Sequence, residues 1–395
     1  MALVNKTFSD IITFTRASTG TFFDSAGVLT SAATNAPRFD YNPSTLAAQG
    51  LLIEEARTNL LLQSQDFATT WAASGTSPAV VTANTTTSLD GTVNADTVSG
   101  TGANSDRVQQ TVTVAASTTY VISFFVKNST SVQSRFHVSN PNSGTTNSET
   151  YITWSGSAIT GFINTGTTVG VAVAYPNNWW RVYFAFTTNA SDAGTATVRF
   201  YPNSTSADAT FKAVFLWGAQ LEAGAFPTSY IPTTTTALTR AADVASVNTL
   251  SPWWNASEGT FYVEGSCGSL TNSPIFVMPH DGTSNNYLNT PLLTTAGLGR
   301  LAGVVGGAAW TNVNTANSTT ANTTFKSASA FKASDQAICL NAGTVATGAN
   351  ASVPVVTTLK LGDWRTSGNS INGYLRRITY YPRRLSNAEL QTITA

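Results

Sequence analysis

The sequence predicts an all-β protein: two antiparallel β-sandwich (jelly-roll) domains preceded by a small β-hairpin segment. Three observations predict it. Charge is scarce while Thr, Ser and Asn supply the polarity. Strand-length segments recur at even spacing between turn clusters. Only one stretch carries a helix signal, and it is short.

Charged residues make up 10% of the chain, against roughly 25% in an average domain. Hydrophobic residues reach 42%, enough for real cores. A Thr- and Val-rich chain of this kind favours strands and tight turns over helices. Its 395 residues exceed one compact core and suit two or three domains.

Residues 1–65 read as small hairpins. Ile11-Thr-Phe-Thr alternates, Thr19-Gly20 turns, Thr21-Phe-Phe-Asp resumes and Ala26-Gly27 turns again, before an extended Pro37–Tyr41 and a short strand at Gly50–Glu55. Residues 66–232 read as a jelly roll. Thr118–Lys127 is nearly all apolar in its second half, and Trp180, Val182, Phe184 and Phe186 alternate onto one face. Residues 233–249 read as a linker, since Pro227 and Pro232 precede a run of threonines with no packing pattern. Strands resume over 250–395, notably at Gly259–Gly265, Pro274–Met278 and Gly373–Tyr381. The chain then closes on Ser386 with Glu389 three residues later, a capping box that predicts a helix. One echo stands out: Thr15-Arg16-Ala17 and Thr239-Arg240-Ala241 each follow an apolar residue, which reads either as two equivalent approaches to a domain or as chance.

Composition also excludes functions. Net charge is zero, so there is no basic stripe for nucleic acid. No Lys/Arg-rich amphipathic helix or membrane-length apolar run occurs, so a membrane is not expected as partner. The Met1–Lys6 start lacks an apolar core and cleavage site, which reads as no signal peptide and synthesis in a cytosol, with release by assembly or lysis. The two cysteines, Cys267 and Cys339, sit in apolar strand-like runs and read as buried free thiols, with a bridge between them left open. The two histidines, His137 and His280, lack metal-ligand spacing and any Gly-x-Ser-x-Gly elbow to complete a triad. No Glu-x-Asp-x-x-Glu run occurs. Glu54 and Glu55 are adjacent, so in a strand they point to opposite faces and cannot form a hydrolytic dyad on their own. They are expected instead to pair with Arg38 or Arg57 and pin the first segment.

Nine tryptophans raise the question of sugar stacking. Trp180 and Trp217 lie in alternating apolar strands and read as core. Trp179, one position off Trp180, is expected on the opposite, exposed face. Asp363, Trp364, Arg365 and Asn369 fall in a loop between two predicted strands, where binding residues are commonly carried, and form the expected glycan-contacting rim.

Two stretches carry a family resemblance. One runs from Phe14-Thr-Arg-Ala-Ser through Pro37-Arg-Phe-Asp-Tyr-Asn-Pro to Gly50-Leu-Leu-Ile-Glu-Glu-Ala-Arg-Thr-Asn-Leu-Leu. The other is Trp217-Gly-Ala-Gln-Leu-Glu-Ala-Gly-Ala-Phe-Pro-Thr-Ser-Tyr-Ile-Pro-Thr with Thr239-Arg-Ala-Ala-Asp. Together they resemble tailed-bacteriophage virion proteins, the tail or head fibres and minor structural proteins. The region between them resembles a carbohydrate-binding-module jelly roll, and Gly373–Leu390 resembles the close of a laminin-G/concanavalin-like sandwich. The resemblance implies a non-enzymatic fibre or spike in the virion that attaches to host-surface polysaccharide, contacts other virion proteins and forms a homo-oligomer, a trimer by analogy. Residues 1–65 would anchor and the last domain would point outward. By analogy with carbohydrate-binding modules it also implies calcium, with Asn59, Gln220 and Glu222 as oxygen donors. Two alternatives stay open: a purely architectural decoration protein, and a capsule depolymerase whose carboxylates converge from distant positions.

Overall fold

The computed structural model describes residues 7–75, 78–100, 106–139, 147–165, 168–191, 194–204, 211–366 and 368–395. The first six residues, on which the reading of the N-terminus rests, lie outside them.

The middle of the chain is a sandwich of two six-stranded antiparallel sheets. One runs in the order Ala158–Thr165, Asn147–Ser155, Gln133–Ser139, Gly194–Tyr201, Arg107–Val114, Ala72–Ser74; the other in the order Val171–Ala174, Trp180–Thr187, Thr119–Asn128, Lys212–Ala223, Val93–Gly100, Val80–Thr87. As expected, alternation places Val182, Phe184 and Phe186 in the core between them, where Phe124, Phe136 and Phe200 also pack in tilted ring contacts. Trp180 is half-buried at the edge of this core.

Thr119–Asn128 is buried along almost its whole length because both of its faces are covered. Its outward-facing Phe125 packs with Trp217, Trp179 and Tyr230 against Phe23 and Leu29 of a separate hairpin, Gly20–Phe23 with Leu29–Ala32. A continuous apolar run is the sequence signature of a strand buried on both sides.

The second sandwich pairs an eight-stranded with a seven-stranded sheet. The expected hairpin segment contains its hairpin but does not stand apart. Thr13–Thr15 is the edge strand of the eight-stranded sheet, pairing with Val244–Val247. Ala48–Ile53 and Phe39–Tyr41 extend the seven-stranded sheet beyond Gly373–Tyr381. The expected linker is corrected as well, since Leu238–Arg240 pairs with Arg57–Asn59 and Val244–Val247 also pairs with Thr358–Leu361. The physical reason is burial: Phe14, Leu51, Ile53, Ala245 and Val247 belong to the same core as Phe261, Val277 and Leu359. The jelly roll is thus an excursion from the second sandwich. Gly50, at φ 109°, allows the close approach to the Leu375 carbonyl that this pairing needs; a Cβ there would collide with it.

The helix forms where the capping box places it, at Asn387–Ile393, with Ser386 and Glu389 exchanging hydrogen bonds. Leu385 and Leu390 seal the outer face of the seven-stranded sheet over Ala328, Ala330 and Cys339. Both cysteines are buried and free, and burial pushes the Cys267 thiol up to about 11.

Candidate functional site

Five charged side chains meet where the hairpin, the jelly roll and the second sandwich join. Arg16 Nη1 lies 3.1 Å from Asp243 Oδ1, Arg38 pairs with both Asp243 and Glu54, the latter at 2.8 Å, and Arg240 lies 2.5 Å from Glu54. All three arginines are essentially excluded from solvent. Ser229 joins them: its hydroxyl accepts from Arg38 and donates to Glu54, and its N–H donates to Glu54. Burial alone would raise the Glu54 carboxyl, but Arg240 and Arg38 outweigh it and hold it down at about 2. The anticipated pairings are present, Glu54 with Arg38 and Glu55 with Arg57. Arg16, Arg240 and Asp243 are additions. The Thr-Arg-Ala echo marks the two arginines: Arg16 directly follows Thr13–Thr15 and Arg240 ends Leu238–Arg240, strands of two different sheets that deliver them to one cluster.

Glu54 and Ser229 carry this cluster to the lining of a cleft of about 580 Å³. The hairpin region contributes Phe22, Asp40 and Tyr41, the jelly roll Tyr175, Arg181 and Tyr183, and the sandwich Asn322, Asn372 and Tyr374. Asp40 accepts hydrogen bonds from the Phe23 N–H at 2.6 Å and the Tyr374 hydroxyl at 2.5 Å. Burial still raises its pKa against those two donors. Burial likewise pushes Tyr374 well up, reinforced by the Asp40 charge, and raises Tyr175. Arg181 is held by the Thr228 carbonyl and the Ser123 hydroxyl and lies 5.3 Å from the Phe125 ring centroid. The cleft therefore offers half-buried aromatic rings interleaved with neutral phenols, amides and one fixed guanidinium. Its second carboxylate, Glu54, is committed to two arginines and Ser229.

The sequence-predicted residues fall elsewhere. Trp179 is buried, not exposed: its indole N–H donates to the Thr87 carbonyl and the hairpin covers its face. Asp363 is buried, its Oδ1 accepting from the Trp364 and Asn369 N–H groups, and Asn369 donates to the Asn272 carbonyl, so both shape the loop. Trp364 and Arg365 are half-buried at its surface. Asn59, Gln220 and Glu222 do come together, but as acceptors already in use. Asn59 Oδ1 accepts from the Leu61 and Leu221 N–H groups, Gln220 Oε1 from Ile231, and Glu222 from Thr228 and Gln220. These oxygens do not fit a calcium ion, which needs them free. No group of three His, Cys, Asp or Glu suited to a metal occurs among the described residues.

No protein-family model matches this chain, and no curated protein does. Among solved structures, the chain is similar to the CBM40 of the Ruminococcus gnavus IT-sialidase bound to α2,3 sialyllactose, with 16% identity, a TM-score of 0.32, and coverage of 35% of this chain and 84% of that one. It is similar to the LG4-5 domains of the mouse laminin α1 chain, at 7% identity, a TM-score of 0.25, and coverage of 71% and 91%. It is also similar to a tail fibre protein of an E. coli phage, at 11% identity and a TM-score of 0.23, covering 81% of this chain and 40% of that one.

Proposed function

We infer that the protein is a non-enzymatic attachment protein that holds surface polysaccharide in the junction cleft, and that it works as a fibre or spike component of a phage virion. The observation that carries the binding reading is the cleft itself: aromatic rings to stack on the apolar faces of pyranoses, with fixed donors and acceptors between them for hydroxyls. Its walls are strands pinned by buried ion pairs, so little ordering accompanies binding. Binding is favoured over hydrolysis because Glu54 is locked as a paired anion, which leaves Asp40 without a partner carboxylate in the cleft. The virion role rests on the resemblance of the Thr-Arg-Ala, Pro-Arg-Phe-Asp-Tyr and Tyr-Ile-Pro segments. In a homo-oligomer, a trimer by the same resemblance, weak single sites would add through effective concentration.

The test is binding of the purified protein to host capsule or lipopolysaccharide, with release of reducing ends followed in the same tube. Binding without release, weakened about tenfold by Tyr183→Ala, supports the reading. Release makes the protein a depolymerase. Neither signal, under conditions that detect millimolar affinity, leaves the architectural role.

A further inference from the structure

The outer face of the eight-stranded sheet carries side chains that the cleft does not use. Lys360 lies directly opposite Met278 in the neighbouring strand, the next pair on that face sets Thr358 opposite His280, and His280 is opposite Tyr287. Leu359 and Leu361 point into the core, so alternation turns Lys360 away from it. Lys360 is nonetheless 7% exposed, and among the described residues no group accepts a hydrogen bond from its ammonium or forms an ion pair with it. Two more polar atoms lack partners: Arg365 Nε, in the loop that follows the Lys360 strand, and Asn289 Oδ1, which sits two residues beyond Tyr287 on the same face and is 5% exposed. Burial lowers the Lys360 pKa against the opposing charge of Asp363; burial, Arg365 and Lys360 lower that of His280 against Asp281, which keeps the imidazole neutral between two cations. Above them the half-buried Trp364 stands edge-on to Tyr287, with centroids 5.0 Å apart.

A nearly buried ammonium with no hydrogen-bond acceptor is costly to maintain, since Asp363 acts on it only through space, and an anion's oxygens seated against it would remove that cost. The geometry points to a second binding site, for a carboxylate-bearing pyranose. The carboxylate faces Lys360 and Arg365, the Asn289 carbonyl oxygen accepts from a ring hydroxyl, and the apolar sugar face rests on Trp364. This site is independent of the junction cleft, whose sandwich wall is the seven-stranded sheet.

The chain has two methionines, so methyl-13C-methionine NMR of the full chain gives Met278 its own signal directly opposite Lys360. Titration with sodium glucuronate should shift Met278 saturably, whereas glucose and sodium acetate should not. Lys360→Gln should weaken the response about tenfold, the effect of losing one charge-assisted hydrogen bond. Arg365→Gln, at a half-exposed position, serves as the second variant if Lys360→Gln fails to give a native ligand-free spectrum. No shift with glucuronate, an equal shift with glucose, or an equal shift with acetate each overturns the assignment. Because Met278 reports only this face, a failure here is read separately from any result for polysaccharide in the cleft.

Discussion

Arg38 and Asp243 lie 205 residues apart in the chain and form an ion pair with no solvent exposure on either side chain. Asp243 also pairs with Arg16 and accepts from the Glu54 N–H. Such a pair is weak evidence of net stability, but breaking it strands buried charge. Asp243→Ala leaves Arg16 without a carboxylate and Arg38 to share Glu54 with Arg240, and should destabilise the fold by about 3–5 kcal/mol, read as a lowered urea midpoint. A variant that unfolds like the parent would show the cluster to be dispensable.

The same cluster fixes a pH dependence. Glu54 sits at about 2 in the folded protein against 4.5 when unfolded. A depressed carboxylate stabilises above its unfolded value, and that contribution, about 3 kcal/mol, disappears as pH falls from 4.5 toward 2. Asp40 acts in the opposite sense, because burial raises its pKa and acidification therefore favours its folded form. Urea midpoints measured down this range should fall, and should fall more steeply in Asp40→Asn. A flat profile would contradict the assignment of Glu54 as a buried, paired anion.

Trp179 gives a clean separation of stability from binding. It is packed between Phe125, Trp217 and the hairpin, so Trp179→Ala should cost about 3–5 kcal/mol. Affinity for polysaccharide per folded molecule should stay within about twofold. A large affinity loss with an unchanged melting temperature would return Trp179 to the binding surface.

Calcium offers another contrast. Because Asn59, Gln220 and Glu222 spend their oxygens on N–H and O–H donors, neither added calcium nor a chelator should move the melting temperature. A ligand bound by the folded state alone would raise it with concentration. A calcium-dependent rise would sink this account of the three residues.

Local chemistry was legible in the sequence and long-range cover was not. Alternation located Val182, Phe184 and Phe186, and Ser386 with Glu389 located the helix, since both signals lie within a few residues of what they specify. Trp179 was misplaced because period-two reasoning assigns it a face but cannot see that Phe23 and Leu29 cover that face. Glu54 with Arg38 was readable as a pair within one segment. Their partnership with Arg240 and Asp243 was not, because those two residues lie within 233–249, the stretch that reads as a linker. The oxygens of Asn59, Gln220 and Glu222 were correctly brought together, but their use depended on N–H groups that the sequence shows everywhere alike. The cleft draws on all three parts of the chain, and no single motif contains it.

The jelly roll leaves the second sandwich at Asn59 and returns at Leu238, and these two residues are paired side by side. Tension applied across residues 15 and 381 therefore passes through the second sandwich, where Leu51–Ile53 lies beside Gly373–Leu375. The jelly roll hangs outside that path like a side arm, closed at its neck. A pull along the chain would strain the second sandwich first, while the jelly roll kept its shape.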